Sequence, residues 1–383
     1  MSDAADFMVQ ILAEPDDDRP RMVFADWLMQ HGDPRGELIA VQCRLARHAT
    51  KHEDVGPLAP LESRERALLK AYGPAWTIDA ETRLKFWGEF GFRRGFIESL
   101  TFNGGYEGAV DRVRVAAPLL RALSVLTLDE LAASPALDGI EEITIRSEHL
   151  KIRELDALAA SPHAADLRRL GFVYGNPSQK ELFALIALPL PLDELAMGFY
   201  GEPFYGRLAL EHLAKTPVRA SLRTLRIRWL RRLGFIRELG AALPNLETLQ
   251  LESADLSADD IHAIVRGFPK LVSLDLADNV QRIETLDLAR LLDDAPNLRR
   301  LRLCTLGLGD AHAIAIAESP AASRLVQLDL ATNKIGDAGA FAIAKSEHLR
   351  NLRRLGLAAN AIGHDAKQAL GRAPYLGETL IEI

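Results

Sequence analysis

From Ile97 onward the apolar positions follow one phrase: leucine, two variable residues, leucine, one variable residue, leucine. Its plainest copies are Leu298-Arg-Arg-Leu301-Arg-Leu303, Leu325-Val-Gln-Leu328-Asp-Leu330 and Leu352-Arg-Arg-Leu355-Gly-Leu357, each starting 27 residues after the one before. Two leucines spaced by two share one face of a strand, so Leu328 and Leu330 point inward while Gln327, Asp329 and Ala331 point outward. Earlier unit starts are read at Ile97, Leu123, Ile140, Leu167, Leu192, Leu222, Leu246 and Leu271. Between strands lie helix-forming stretches rich in small residues, such as Asp337-Ala-Gly-Ala-Phe-Ala-Ile-Ala344. Pro244, Pro269 and Pro296 stand just before the next strand and end those helices, since proline cannot continue one. The short gap from Leu123 to Ile140 leaves room for little helix. A fixed period of this length predicts an α/β solenoid over residues 97–383, about eleven units forming a horseshoe with a parallel concave sheet and outer helices.

Within a unit, asparagine at 279, 333 and 360 is placed to bond the backbone of neighbouring turns. Ser257-x-x-Asp260 reads as a capping box opening a helix, with Asp in the place of Glu or Gln. Thr379–Ile383 reads as a short terminal strand.

Before Ile97 the pattern is helical. Phe7, Val9, Ile11 and Leu12 precede Pro15; Asp16-Asp17-Asp18 then offers capping oxygens to a second helix, whose apolar side is Met22, Val23, Phe24, Trp27 and Leu28. Phe24 and Trp27 are expected in the core of this small module. Gly32 and Pro34 stop the second helix, and a third is expected from Glu37 to Arg47. Ala49–Pro60 reads as a linker, followed by a helix over Leu61–Ala71 leading to Tyr72-Gly-Pro-Ala-Trp76. The expected division is therefore residues 1–48 as a helical module, 49–96 as linker and helical cap, and 97–383 as the solenoid.

At 383 residues the chain exceeds the usual size of one hydrophobic core, a limit that a solenoid avoids because each unit packs on its neighbours. The net charge of -7 argues against general nucleic-acid binding. Two cysteines, Cys43 and Cys304, exclude a disulfide framework. The acidic start, without an apolar run after it, and the lack of a spanning stretch lead to an expectation of a cytoplasmic protein with no membrane partner.

Two resemblances add to this reading. The segment Pro15-Asp-Asp-Asp-Arg-Pro-Arg-Met-Val-Phe-Ala-Asp-Trp27-Leu, with Gly32-Asp-Pro-Arg-Gly-Glu37-Leu-Ile, resembles the repeat-companion domain that precedes repeat arrays in bacterial proteins, notably of myxobacteria and planctomycetes. Arg94-Gly-Phe-Ile-Glu98 resembles the join to the first repeat in such proteins. The strand–helix spacing is similar to leucine-rich repeats of the ribonuclease-inhibitor class, strongly after Leu222 and more loosely before. This implies a binding scaffold and carries no activity of its own.

The candidate chemistry is that of recognition. The expected partner-binding residues on the concave face are Arg226, Arg228, Gln250, Glu252, Asp275, Arg300, Arg302, Gln327, Asp329 and Arg354. Adjacent strands lie about 4.8 Å apart, so Arg302 should bridge Asp275 and Asp329, and Arg228 should meet Glu252. The small lane Ala277, Cys304, Ala331 and Ala358 leaves Cys304 facing outward near Arg302, which could lower its pKa; with no base at a known spacing, it is read as a plain small surface or semi-buried thiol and not as a nucleophile. Arg219, Arg223, Arg226, Arg228, Arg231, Arg232 and Arg237, interleaved with Trp229, offer an alternative as a polyanion or RNA strip. Phe199, Tyr200, Phe204 and Tyr205 read as an aromatic loop, either suited to a protein interface or simply packed. His48 and His52 with Glu53 do not complete a zinc site, and the Asp16–Asp18 cluster is better explained by helix capping than by a cation. With no phosphate loop, dinucleotide fingerprint or nucleophile elbow, the expectation is a protein–protein scaffold that is not an enzyme and takes no metal or cofactor. A protein inhibitor or regulator of an enzyme is the third reading.

Overall fold

A computed structural model of the chain describes residues 4–51, 58–84, 88–103, 108–147, 150–175, 177–199, 204–228, 239–240, 242–279, 283, 285–377 and 379–383. The chain folds as two compact units, Met1–Arg146 with Asp156–Leu167, and Ser147–Leu155 with Arg168–Ile383.

The first unit opens with four helices, α1 (Ala4–Ala13), α2 (Asp18–Gln30), α3 (Arg35–Lys51) and α4 (Leu58–Leu84). Asp17 caps α2, its carboxylate accepting the Arg19 N–H at 2.9 Å. Gly32 follows α2 at φ +74°, a left-handed turn that suits glycine. Phe7 and Ile11 of α1, Phe24 and Leu28 of α2, and Ile39 and Cys43 of α3 form one apolar cluster, which also takes in Phe96 and Leu119. Burying a phenylalanine there contributes about 1.5–3 kcal/mol. Trp27, expected in the core, is half-buried at its edge, stacked 6.0 Å from Phe24 and tilted 4.1 Å from His31.

The helices run further than expected. α3 continues past Arg47 to Lys51, and α4 starts at Leu58, inside the expected linker. Pro60 falls in the first turn of α4, where a missing N–H costs nothing. α4 also passes through Gly73 and Pro74 instead of ending near Ala71.

Strands β1 (Gly88–Arg93) and β2 (Phe96–Phe102) then form an antiparallel hairpin, an element the sequence reading did not foresee. Its two-residue turn, Arg94-Gly95, has both φ angles positive, at +48° and +85°, as tight hairpins require. A Cβ on Gly95 would stand 2.0 Å from the Ile39 side chain, so glycine is needed there for space as well. The register slips between Gly91↔Ser99 and Phe92↔Ile97, leaving Glu98 as an extra residue in β2. Such a bulge re-aims a side chain, and here Ile97 and Glu98 are both buried although adjacent in a strand.

The repeats begin on β2. β3 (Ala122–Val125) and β4 (Glu142–Arg146) add parallel to it, with Leu100, Leu123 and Ile143 in register. Leu123 therefore occupies the second leucine position of its unit, and the unit starts three residues earlier, at Leu120. Short 3-10 turns, Asp129–Ala133 and Pro135–Leu137, replace the helix in this tight unit.

The second unit carries β5 (Arg169–Gly175), β6 (Glu194–Phe199), β7 (Thr224–Arg228), β8 (Thr248–Glu252), β9 (Ser273–Asp275), β10 (Arg300–Arg302), β11 (Gln327–Asp329), β12 (Arg354–Gly356) and β13 (Leu380–Glu382), neighbours in chain order and parallel. Leu249, Leu274, Leu301, Leu328 and Leu355 stand in register and are buried. Asn279 and Asn333 are the expected buried ladders. Asn333 Oδ1 accepts the N–H groups of Leu306 and Leu308 at 3.0 and 3.1 Å, and its Nδ2 donates to the carbonyls of Leu303 and Leu330 at 2.8 and 2.9 Å. Asn360 repeats the arrangement between Ile335 and Leu330. The residue before the ladder position, Ser253, Asp278, Thr305, Thr332 or Ala359, is left-handed in each of these units, at φ +55° or more.

Helix starts are tied across repeats. The Asp310 carboxylate accepts the N–H groups of Gly336 and Gly339 at 2.7 and 3.0 Å, and Asp337 accepts from Gly363 at 2.6 Å. Each Asp thus satisfies orphan donors of the next unit's helix. The helices Asp310–Glu318 and Asp337–Lys345 bury Ala313, Ala317, Ala340 and Ala344, as their small residues predict. Ser257 and Asp260 form the expected capping box. The fold is an α/β solenoid of leucine-rich repeats with a helical N-terminal region.

Candidate partner-binding face

In each repeat of the second unit the leucines fix the two faces of the sheet. Residues three, five and seven places into the phrase lie on the face away from the buried leucines. Strand pairing places Ser273, Arg300, Gln327 and Arg354 in one row across β9–β12. The next row is Asp275, Arg302, Asp329 and Gly356, continued by Glu382 on β13.

Arg302 donates from Nη1 to Asp275 at 3.1 Å and from Nε to Asp329 at 3.3 Å, the expected bridge. Burial alone disfavours its charge, but Asp275 beside it more than compensates, so its pKa is raised. The aspartates serve two purposes. Oδ1 of Asp275 accepts the Ala277 N–H at 3.0 Å and Oδ1 of Asp329 accepts the Ala331 N–H at 3.1 Å, while the other oxygen meets the arginine. Arg354 donates to Glu382 at 2.7 Å, a pair the sequence reading did not anticipate. A Cβ at Gly356 would lie 2.2 Å from Asp329 Oδ1, so the Asp329 carboxylate fills the space a side chain there would take. The two rows line a hollow of about 220 Å³ on β9–β13.

Further along the sheet, Arg228 meets Glu252 at 2.9 Å as expected. Arg226 donates to Glu194 at 2.6 Å and to Gln250 at 3.1 Å, and Gln250 donates to Glu252 at 3.3 Å. Gln250 is buried, only 6% exposed, so it positions its charged neighbours and is not itself an open contact. Arg223 pairs with Glu247 at 2.6 Å. In the arginine strip, Arg223, Arg226 and Arg228 thus each have an acidic neighbour, which offsets the positive charge of these three. Trp229, Arg231, Arg232 and Arg237 lie outside the described residues.

Two other expectations are corrected. Cys304 is not an outward thiol with a lowered pKa; it is 6% exposed, and burial pushes it up to about 12, with Asp329 adding to the rise and Arg302 opposing it. Burial thus disfavours the thiolate, the form that reacts. The aromatic loop is partly helix, since Phe204 and Tyr205 start the helix Phe204–Leu213 and Phe199 ends β6; Tyr200 lies outside the described residues.

The first unit has a different polar centre, which the sequence reading missed. Arg21 of α2 is fully buried and donates from Nη2 to Glu98 Oε1 at 3.0 Å and to the Pro15 carbonyl at 2.8 Å. Arg21 and Arg35 lie over the Phe96 ring, 5.0 and 4.9 Å from its centre. Arg35 Nε donates to the Gly95 carbonyl at 3.0 Å, and the Gly95 N–H donates to Gln42 Oε1 at 2.7 Å. The Asp16–Asp18 cluster works here through arginines. Arg121 bonds both oxygens of Asp16, at 2.8 and 3.1 Å, and holds its carboxyl down to about 2 against the opposing effect of burial. His48, His52 and Glu53 have side chains outside the described residues. Among the described residues no group of three or more His, Cys, Asp or Glu is placed to hold a metal, and no helix is long and apolar enough to cross a membrane.

A family model described as "FBD-associated F-box protein At5g56370, LRR repeats" matches residues 191–365. No curated protein matches the chain in sequence. Similar solved structures include an internalin, inlF, of Listeria monocytogenes, at 17% identity over 75% of this chain and 80% of that one, with a TM-score of 0.41. The yeast Rad7 and Elc1 complex shows 14% identity over 97% and 84%, with a TM-score of 0.47. Human 5T4, the Wnt-activated inhibitory factor 1 or trophoblast glycoprotein, shows 19% identity over 61% and 87%, with a TM-score of 0.42. The repeat register of the chain itself, and not these likenesses, identifies the fold.

Proposed function

We propose that the chain is a non-enzymatic protein–protein interaction scaffold that holds a partner protein on the open face of β7–β13, the concave face of the expected horseshoe. Leucine-rich repeats generally act as interaction surfaces, because stacked units present one extended sheet. One observation carries the reading for this chain: the hollow on β9–β13 is lined by ionic side chains on the face away from the leucines, and Arg302, Asp329, Arg354 and Glu382 among them are each more than a third exposed. Exposed ion pairs contribute about 0–1 kcal/mol, so a partner can exchange its own groups for them at little cost to the fold. The partner-binding set is Arg226, Arg228, Glu252, Asp275, Arg300, Arg302, Gln327, Asp329 and Arg354, with Gln250 as a support.

The polyanion reading is the weaker one, because Arg223, Arg226 and Arg228 stand beside acids. A regulator of an enzyme is a special case of a protein partner. The test is affinity capture with the full chain and with the double variant Arg300→Glu, Arg302→Glu, at low and high salt. A stoichiometric protein partner that survives high salt and is lost by the double variant is expected. A partner retained equally by both chains overturns the concave-face assignment.

A further inference from the structure

We infer that β13 is an interface for a second copy of this chain, the two β13 strands pairing antiparallel about a two-fold axis at Ile381. Two observations lead there. First, the last unit leaves its leucine positions uncovered. Leu355 and Leu357 of β12 are buried. Ile381, in register with Leu355, is only half-buried, and Ile383, which follows Glu382 as Leu357 follows Gly356, is 39% exposed. Leu380 is half-buried, and Tyr375, in the turn leading to β13, is exposed. Second, the backbone of β13 is matched on one side. The Leu380 N–H donates to the Arg353 carbonyl at 2.9 Å, and the Glu382 carbonyl accepts the Leu357 N–H at 2.7 Å, so these two residues face β12. Neighbouring residues of a strand turn their N–H and C=O to opposite sides, so those of Ile381 point away from β12. Among the described residues no strand lies on that side. The other end strand, β1, differs, since Gln42 Nε2 of α3 donates to its Phe92 carbonyl at 3.3 Å.

The edge is complementary to itself. In an antiparallel ladder two directly opposed residues of a hydrogen-bonded pair exchange both N–H···O bonds. Ile381 facing Ile381 of a second copy therefore uses the one donor and the one acceptor that each strand turns outward. An interface in which the same patch serves both subunits is what a two-fold axis requires. On the inner face the pairing sets the two Ile381 side chains together and covers the leucine positions of both last units. On the outer face it sets Leu380 opposite Glu382, so like charges do not stand directly opposite each other. Each Glu382 keeps its own Arg354. An unpaired strand edge is a template for such addition, and β13 carries no proline or lysine to blunt it. The pairing is independent of what the sheet face binds; where a partner is held there, the dimer holds it twice.

The test is sedimentation velocity of the full chain over a dilution series, with hydrogen exchange of the Ile381 amide followed on the same samples. The parent should show a species of twice the chain mass that dissociates on dilution, and the Ile381 amide should exchange more slowly in that species. Ile381→Pro removes the outward donor, which β12 does not use, and should weaken the dimer about tenfold or more. Ile381→Cys gives a second readout that does not depend on the stability of the proline variant. Opposed residues of a hydrogen-bonded pair have Cα atoms about 5.5 Å apart, within the span of a disulfide, so mild oxidation should link two copies. The same treatment of Val115→Cys, whose residue is 69% exposed in the first unit, should not. A parent that stays monomeric at every concentration overturns the inference; slow exchange of Ile381 in that monomer assigns the edge to the chain's own residues. A dimer that Ile381→Pro leaves intact and Ile381→Cys does not link overturns it as well, because the copies then meet elsewhere.

Discussion

Arginine–carboxylate pairs occur in both compact units, and their surroundings give them opposite roles. Arg21 and Glu98 are sealed in the first unit, with side chains 0% and 4% exposed. Arg302 and its aspartates lie on the open sheet of the second, with the arginine 48% exposed. Two charges withdrawn from water are tolerated only when geometry and further hydrogen bonds compensate, and the Pro15 and Arg94 carbonyls provide such bonds to Arg21. Removing one member strands the other. On the sheet, water replaces whatever is removed. The buried pair therefore fixes how helices and hairpin join, whereas the exposed network is available to a partner.

The sharpest way to break this comparison is Glu98→Leu, which strands the Arg21 charge and should cost about 3–5 kcal/mol in urea denaturation. The double variant Arg21→Met, Glu98→Leu should recover most of that loss. A single variant as stable as the parent would remove the distinction between the two pairs. Next is Gly95→Ala. Its positive φ and the nearby Ile39 side chain predict a loss of about 1–3 kcal/mol by the same measurement; no loss would mean that the hairpin turn does not hold the join. Arg302→Gln should change stability by about 0–1 kcal/mol, and added salt should narrow the difference further. A larger effect would make the exposed network structural.

The smallest effect concerns acid. Asp16 has its carboxyl lowered from 3.8 to about 2 by Arg121, so it contributes stability above pH 3.8 that fades as pH falls through about 2. The Asp16 side chain is 70% exposed, which screens the pair and keeps the contribution small. Asp16→Asn should narrow its gap from the parent across that window; a gap that stays constant with pH would show that the charge is not responsible.

The repeat architecture was legible because it is written in periodicity. Leucine spacing gave the strand register in every unit except one. At Leu123 the phrase is degenerate, and Leu120 was overlooked because Leu119-Leu120 and Leu123 both offer a start. The Arg302 bridge to Asp275 and Asp329, and the Arg228–Glu252 contact, followed from spacing alone, since parallel strands in register align equivalent positions. Arg354–Glu382 and Arg226–Glu194 were missed because each depends on where a long side chain reaches after the strands are set. The Arg21–Glu98 pair was less accessible still. Its members are 77 residues apart, and Glu98 turns inward through a bulge that no period encodes. Arg21, Arg35 and the segment Arg94–Glu98 meet at this join although they are far apart in the chain. For Cys304 the plain-thiol reading stands, but alternation alone placed it outward, whereas it is buried and its pKa is raised.

The most direct test of the account places the double variant Arg300→Glu, Arg302→Glu beside the parent and records thermal melting and partner capture on the same samples. The account predicts melting within about 2–4 °C of the parent, the shift of ~1 kcal/mol for a domain of this size, together with loss of the captured protein. Melting that falls as far as in Glu98→Leu, or capture that is unaffected, would contradict the division between a buried pair that holds the fold and an exposed network that holds a partner.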